Sequence, residues 1–164
     1  MKNTEQLQEI INREIGNIAV NERPEELYEP IRYILSGGGK RLRPLLLLSA
    51  CQLFNDPVDD AIKPAIGIEV FHNFTLVHDD IMDHADMRRS RPTVHAKWDI
   101  NRAILSGDAM QLLAYECFFG LKPDMLAKVL PVFTKTAIEV CEGQQYDMNF
   151  ETHFNVSITE YMQM

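Results

Sequence analysis

Residues 66–83 run Ile66-Gly67-Ile68-Glu69-Val70-Phe71-His72-Asn73-Phe74-Thr75-Leu76-Val77-His78-Asp79-Asp80-Ile81-Met82-Asp83, an apolar segment that ends in three acids. A helix that is apolar on nearly every side belongs at the centre of a bundle. The segment therefore predicts a central helix over about residues 60–83, crossing Pro64. With about 100° of rotation per residue, Asp79, Asp80 and Asp83 are expected on one face, at the mouth of a cavity. Asp79 and Asp83 stand four residues apart, which places their Cβ atoms roughly 5–6 Å from each other. Like charges at that spacing repel, so the face calls for cations. An open array of carboxylate oxygens suits Mg²⁺, which keeps several waters and shares its shell with substrate phosphates. A solvated acidic surface is the plainer alternative. A calcium loop counted from Asp79 is excluded, because His84 and Ser90 stand where it needs a glycine and an acid.

Helical periodicity continues on both sides of this segment, and strand alternation is nearly absent. Leu7, Ile10, Ile11, Ile15 and Ile18 make an apolar stripe on a first helix. Pro24 opens a second that runs to about Leu35, with Leu27, Ile31 and Ile34 inward and Pro30 bending it. A third covers residues 42–54 and is broken at Asn55-Asp56-Pro57. Beyond the acids, residues 85–93 read as a loop. Asn101 is expected to cap a helix that reaches about Phe119 and is ended by Gly120 and Pro123. A last long helix over about residues 123–149 bends at Pro131. Ser157 and Glu160 then form a capping-box pattern that starts one more. The expected fold class is all-α, an antiparallel helical bundle around a central cavity.

Two basic clusters accompany the acids. In Ser36-Gly37-Gly38-Gly39-Lys40-Arg41-Leu42-Arg43-Pro44, glycines free the backbone to approach an anion, and cations follow where a helix begins. A glycine C-cap followed by solvated basic residues is the alternative. The spacing is not that of a P-loop, which requires Gly-x-x-x-x-Gly-Lys followed by Ser or Thr. The second cluster is Arg88-Arg89-Ser90-Arg91-Pro92-Thr93. Guanidinium forks beside an acidic metal site fit a diphosphate, the metal taking one set of oxygens and the arginines another. Ion pairing of Arg88 and Arg89 with the aspartates is the competing reading, worth little if exposed.

In this order of motifs the chain resembles the trans-prenyltransferases, the polyprenyl or isoprenyl diphosphate synthases. The resemblance runs from about Leu27 to the end. It rests on Gly38-Gly39-Lys40-Arg41-Leu42-Arg43-Pro44, Asp79 to Asp83, Arg88-Arg89 with Pro92-Thr93, Gly107-Asp108, and Gly143-Gln144-Gln145-Tyr146-Asp147. Ser90 departs from it, since the family commonly has glycine after the arginine pair. Neither a Lys-Thr pair nor a second aspartate-rich motif stands after residues 143–147, in residues 148–164; the family carries both further downstream. Residues 1–164 are therefore expected to be the N-terminal part of a single isoprenoid synthase domain, a bundle incomplete without its C-terminal half.

The resemblance implies a Mg²⁺-dependent prenyltransferase of isoprenoid biosynthesis. An allylic diphosphate loses its diphosphate, the double bond of isopentenyl diphosphate attacks the allylic cation, and a proton is removed. Asp79 and Asp83 are expected to hold the metal, with Asp80 a weaker ligand or a group behind it. Arg88 is expected on the allylic diphosphate, and Lys40, Arg43, His72 and Arg89 on the isopentenyl diphosphate. Gln144 and Asp147, three apart on one helix face, are expected to line the allylic site. Gly107-Asp108 and His95 are read as structural. Phe74 and Thr75, five and four residues before Asp79, are expected to limit chain length, giving a C15–C20 product; packing of Phe74 against a neighbouring helix is the alternative. The chain by itself is expected to be inactive. Its partner is expected to be a second copy, in a homodimer. A non-catalytic regulatory subunit of a heteromeric synthase is the runner-up, and a terpene cyclase is disfavoured because it has no use for Lys40, Arg43 and Arg89.

Composition agrees. A net charge of −8 argues against nucleic acid as a partner. Cys51, Cys117 and Cys141 are widely spaced in apolar runs and lack zinc-ligand spacing. No stretch approaches the length of about 18 apolar residues that spans a membrane. No signal-peptide core follows Met1, and a cytoplasmic location is expected.

Overall fold

A computed structural model of the chain describes residues 2–18, 22–54, 58–153, 155–162 and 164. These form eight helices and one two-stranded hairpin, in two compact units, Met1–Gly120 and Leu121–Met164.

In the first unit, α1 (Thr4–Gly16) starts at an Asn3 cap with a complete capping box. It buries Leu7, Ile11 and Ile15, three members of its stripe. The second helix, α2 (Glu25–Leu35), follows Pro24 and buries Pro30, Ile31 and Leu35. The third, α3 (Leu42–Leu53), begins at Arg41, whose φ of 48° lies in the left-handed region. The expected break at Asn55-Asp56-Pro57 lies outside the described residues. The central helix is α4 (Val58–Met82), which packs against α1, α2 and α3 and against two later helices.

Two features after α4 differ from the sequence expectation. Residues 85–93 are not a plain loop: Met87–Arg88 (β1) pairs antiparallel with Arg91–Pro92 (β2), with Arg88 directly opposite Arg91. Arg89 and Ser90 turn the hairpin, both left-handed at φ 51° and 61°. That pair of positive φ values marks a type I′ turn, which favours Asn-Gly or Gly-Gly, so the sequence carries no ordinary hairpin signal. It also explains why glycine is common at Ser90 in the family that the sequence resembles. A short helix, α5 (Val94–Lys97), follows. Next, α6 (Ile100–Glu116) is capped by Asp99, not Asn101: the Asp99 carboxylate accepts the Arg102 N–H.

Close packing of α4 on α6 uses a glycine from each. A Cβ on Gly67 would stand 2.8 Å from the Ala114 carbonyl oxygen. A Cβ on Gly107 would fall on His78 Nε2. The structural reading of Gly107 thus has a definite cause, room for an imidazole between two helices.

The second unit contains α7 (Pro123–Phe150), with Pro131 inside it, and α8 (Ile158–Tyr161). The Ser157–Glu160 capping box is present in both directions. Cys51, Cys117 and Cys141 are free thiols, and burial pushes the Cys117 thiol up. No helix among the described residues is long and apolar enough to cross a membrane.

Candidate functional site

The three acids sit on the last turn of α4. That end already carries the negative pole of the helix dipole, so the acids add to the local charge instead of offsetting it. The helix closes with His84 left-handed at φ 51°, the Ala85 N–H reaching the Asp80 carbonyl and the His84 N–H that of Ile81. This is a Schellman closure, here without its usual glycine.

The three acids differ in exposure. Asp80 is 1% exposed and turned into the protein, where one carboxylate oxygen accepts from Arg88 Nε at 2.7 Å. Its other oxygen, Oδ2, has no hydrogen-bond partner. Asp79 is half-buried and Asp83 exposed. Burial pushes the Asp80 carboxyl above its ordinary range, and the Arg88 bond and charge pull it back only in part.

The glycine segment and the hairpin come together. Arg89 Nη1 donates to the Gly38 carbonyl at 2.6 Å, and a Cβ on Gly39 would stand 2.8 Å from that same nitrogen. Gly39 has φ 135°, so both backbone freedom and close approach require glycine there. Asp80, Arg88, Arg89, Arg91, Tyr33 and Thr93 all border a chamber of about 20 Å³ between α2, α4 and the hairpin.

Of the cations after the glycines, Arg41 is not available to a ligand. Its guanidinium is buried, pairs with Glu69 at 2.8 Å and donates to the Leu35 carbonyl at 2.6 Å. Lys40 and Arg43 are exposed, with Arg43 in the first turn of α3. Cations at a helix N-terminus reinforce its positive pole and make a ready anion site.

His72 is half-buried on α4. Burial lowers its pKa below 6.5, the Arg43 charge adds to this, Glu69 opposes it, and Arg89 and Arg88 lower it further. Burial first, and then three nearby guanidinium groups, thus favour the neutral imidazole.

The donor set fits Mg²⁺ only in one mode. Among the described residues no three His, Cys, Asp or Glu side chains gather into a metal cage. Asp80 is bonded to Arg88, and Asp79 and Asp83 are the other two carboxylates of this helix end. Mg²⁺ commonly binds through one or two carboxylates, waters and substrate phosphate. The residues present fit that mode.

The remaining assigned residues are placed as follows. Phe74 is 8% exposed and meets Phe71 at a tilt and His78 edge-on, with ring centroids 5.3 and 4.8 Å away. Because His78 Nε2 lies 3.3 Å from the Ile104 carbonyl of α6, Phe74 belongs to the α6-facing side of α4. The Thr75 hydroxyl donates to the His72 carbonyl. Gln144, half-buried, and Asp147, exposed, both lie on α7 in the second unit. There they line one concave surface with Gly143. Sequence reading missed Glu69, although it is the lone acid between residues 61 and 78. A single acid in an apolar run signals a buried partner.

A polyprenyl synthetase family model matches residues 24–164, and the chain belongs to that family. It is 44% identical over 144 residues to a geranylgeranyl diphosphate synthase of Methanosarcina mazei, covering 87% of this chain and 44% of that protein. It is 40% identical over 175 residues to a geranylfarnesyl diphosphate synthase of Natronomonas pharaonis, covering 93% and 51%. A crystal structure of a geranylgeranyl pyrophosphate synthase shares 48% identity and a TM-score of 0.95, over 99% of this chain and 50% of that one. The all-α fold is that of the isoprenoid synthases. The chain spans about half the length of the curated relatives it matches.

Proposed function

We propose that this chain carries the diphosphate-binding part of a prenyltransferase that joins an allylic diphosphate to isopentenyl diphosphate. The observation that carries this reading is the convergence of the glycine segment, the arginine hairpin and His72. Arg89 bonds Gly38 directly, and the charges of Arg43, Arg88 and Arg89 all bear on His72.

Lys40, Arg43, Arg89 and neutral His72 hold the isopentenyl diphosphate, the cations by charge and the imidazole by hydrogen bonding. Arg88 holds the allylic diphosphate and is itself oriented by Asp80. Asp79 and Asp83 hold Mg²⁺, which would supply positive charge for the leaving diphosphate. Gln144 and Asp147 of α7 contribute to the allylic side. The apolar wall of α4 keeps water from the reacting carbons. Phe74 and Thr75 influence product length, in the C15–C20 range. The names of the relatives support a product of this order, and Phe74→Ala is expected to lengthen it by opening space beside His78.

The partner is a second copy. Leu105 and Leu112, seven apart on α6, are 59% and 71% exposed, and Phe119, seven further on, is 65% exposed. Such a stripe suits an isologous contact. Three free thiols favour a reducing, cytoplasmic setting.

Calorimetric titration of the 164-residue chain with isopentenyl diphosphate tests the reading. Saturable binding is expected, weakened about tenfold or more by Arg43→Ala or Arg89→Ala, as charge-assisted hydrogen bonds are lost. Absence of binding, or binding indifferent to both variants, would overturn it.

A further inference from the structure

A two-stranded hairpin is barely stable in water, and this one turns on two left-handed non-glycine residues. Its register also places Arg88 directly opposite Arg91, and like charges in that position repel. Arg88 is neutralised by Asp80. Arg91 is met by an aromatic face instead: its guanidinium carbon lies 4.1 Å from the Tyr33 ring centroid. The Lys97 ammonium lies 4.0 Å from that same centroid and 4.1 Å from the Trp98 ring. Trp98 meets Tyr33 edge-on at 5.2 Å. The Tyr33 hydroxyl donates to the Pro92 carbonyl at 2.9 Å. One side chain of α2 thus touches both β2 residues and the segment after β2, and lies outside every motif assigned above.

We propose that Tyr33 is a positioning residue for diphosphate binding: by stacking Arg91 and bonding Pro92 it holds the hairpin so that Arg88 and Arg89 stay aimed at the substrate. A guanidinium is weakly hydrated and stacks on rings through its plane, and cation–π attraction is of useful strength at such distances. Without the ring, Arg91 is free to compete with Arg88 for Asp80, and the hairpin loses its tie to α2. The Arg89–Gly38 bond then becomes the remaining link between hairpin and glycine segment. The inference rests on the proposed diphosphate site and goes beyond it by naming what fixes its arginines.

Titration with isopentenyl diphosphate, read by calorimetry, tests the clamp on the full chain. Tyr33→Leu is expected to weaken binding about tenfold, while Tyr33→Phe, which keeps the ring, retains most of the affinity. A purely structural role would not show the next effect. In an Arg91→Gln background, Tyr33→Leu should cost less than threefold more, because the Arg91 stack, the tie that bears on the hairpin arginines, is already gone and only the Pro92 and α5-side contacts remain to lose. Circular dichroism melting monitors folding, and if Tyr33→Leu fails to fold, Arg91→Gln alone must show the weakened binding. Parent-like affinity in Tyr33→Leu, or full additivity with Arg91→Gln, overturns the clamp while leaving the diphosphate site standing. A parent chain that does not bind overturns both.

Discussion

The two basic clusters look alike in sequence, Lys40-Arg41-x-Arg43 against Arg88-Arg89-x-Arg91, and each places an arginine in a left-handed conformation. Each also commits one arginine to an acid of α4, Arg41 to Glu69 and Arg88 to Asp80. They differ in where the pair sits. Arg41 and Glu69 are both sealed, at 4% and 5% side-chain exposure, whereas Arg88 is 30% exposed opposite a buried Asp80. A sealed pair serves the fold. A pair open on the cation's side fixes an arginine and still presents it to a ligand. The same sequence pattern therefore yields one sealed ion pair and one that leaves its arginine partly exposed.

The sharpest break of this comparison is Glu69→Leu, which leaves Arg41 buried without its counter-charge. A loss of about 3–5 kcal/mol is expected, read by urea unfolding. The partner change Arg41→Met in the same chain should recover much of it. A loss under about 1 kcal/mol for the single variant would mean that Arg41 reaches water, and the contrast would collapse.

Asp80→Ala should behave differently. Arg88 can rehydrate, and the orphaned Asp80 oxygen disappears, so stability should fall by only about 1–2 kcal/mol. In an Mg²⁺-supported assay, affinity for an allylic diphosphate should fall far more than stability does. A stability loss matching that of Glu69→Leu would show the two pairs to be equivalent.

A smaller effect sharpens the view of the hairpin. Ser90→Gly relieves a positive φ at the turn and should stabilise the chain by about 0.5–1 kcal/mol. Thermal unfolding reads this, and a destabilisation would indicate that the Ser90 side chain has a partner that offsets the strain.

The smallest effect is a pH dependence at His72. Its folded pKa lies below 6.5, so on acidification the unfolded chain takes up this proton first. The stability contribution is complete above about pH 6.5 and is lost as pH falls through the folded pKa. Removing the imidazole in His72→Gln should flatten the stability profile between neutral pH and about pH 5. An unchanged slope would mean that His72 is as well hydrated in the folded chain as in the unfolded one.

Much of this was legible in the sequence for local reasons. The apolar run from 66 to 77 announced a central helix because no amphipathic surface helix can hide so many apolar sides. Three acids at its end and glycines beside cations marked where charge gathers, since helix poles and like-charge repulsion act within a turn or two. The Ser157 capping box was readable for the same reason, being confined to four residues.

Tertiary structure alone decided which of these charges are buried or paired. Asp80 is buried against Arg88, whereas Asp79 is half-buried and Asp83 exposed. Arg41 is lost to Glu69, 28 residues away, and Arg91 to Tyr33. The hairpin itself rests on a turn whose residues do not favour it, held by Asp80, Gly38 and Tyr33 from elsewhere in the chain. Sequence fixes which groups are charged and how helices are phased. Which charge is buried, paired or left for a ligand depends on partners brought from distant positions, and that is settled only when the helices pack.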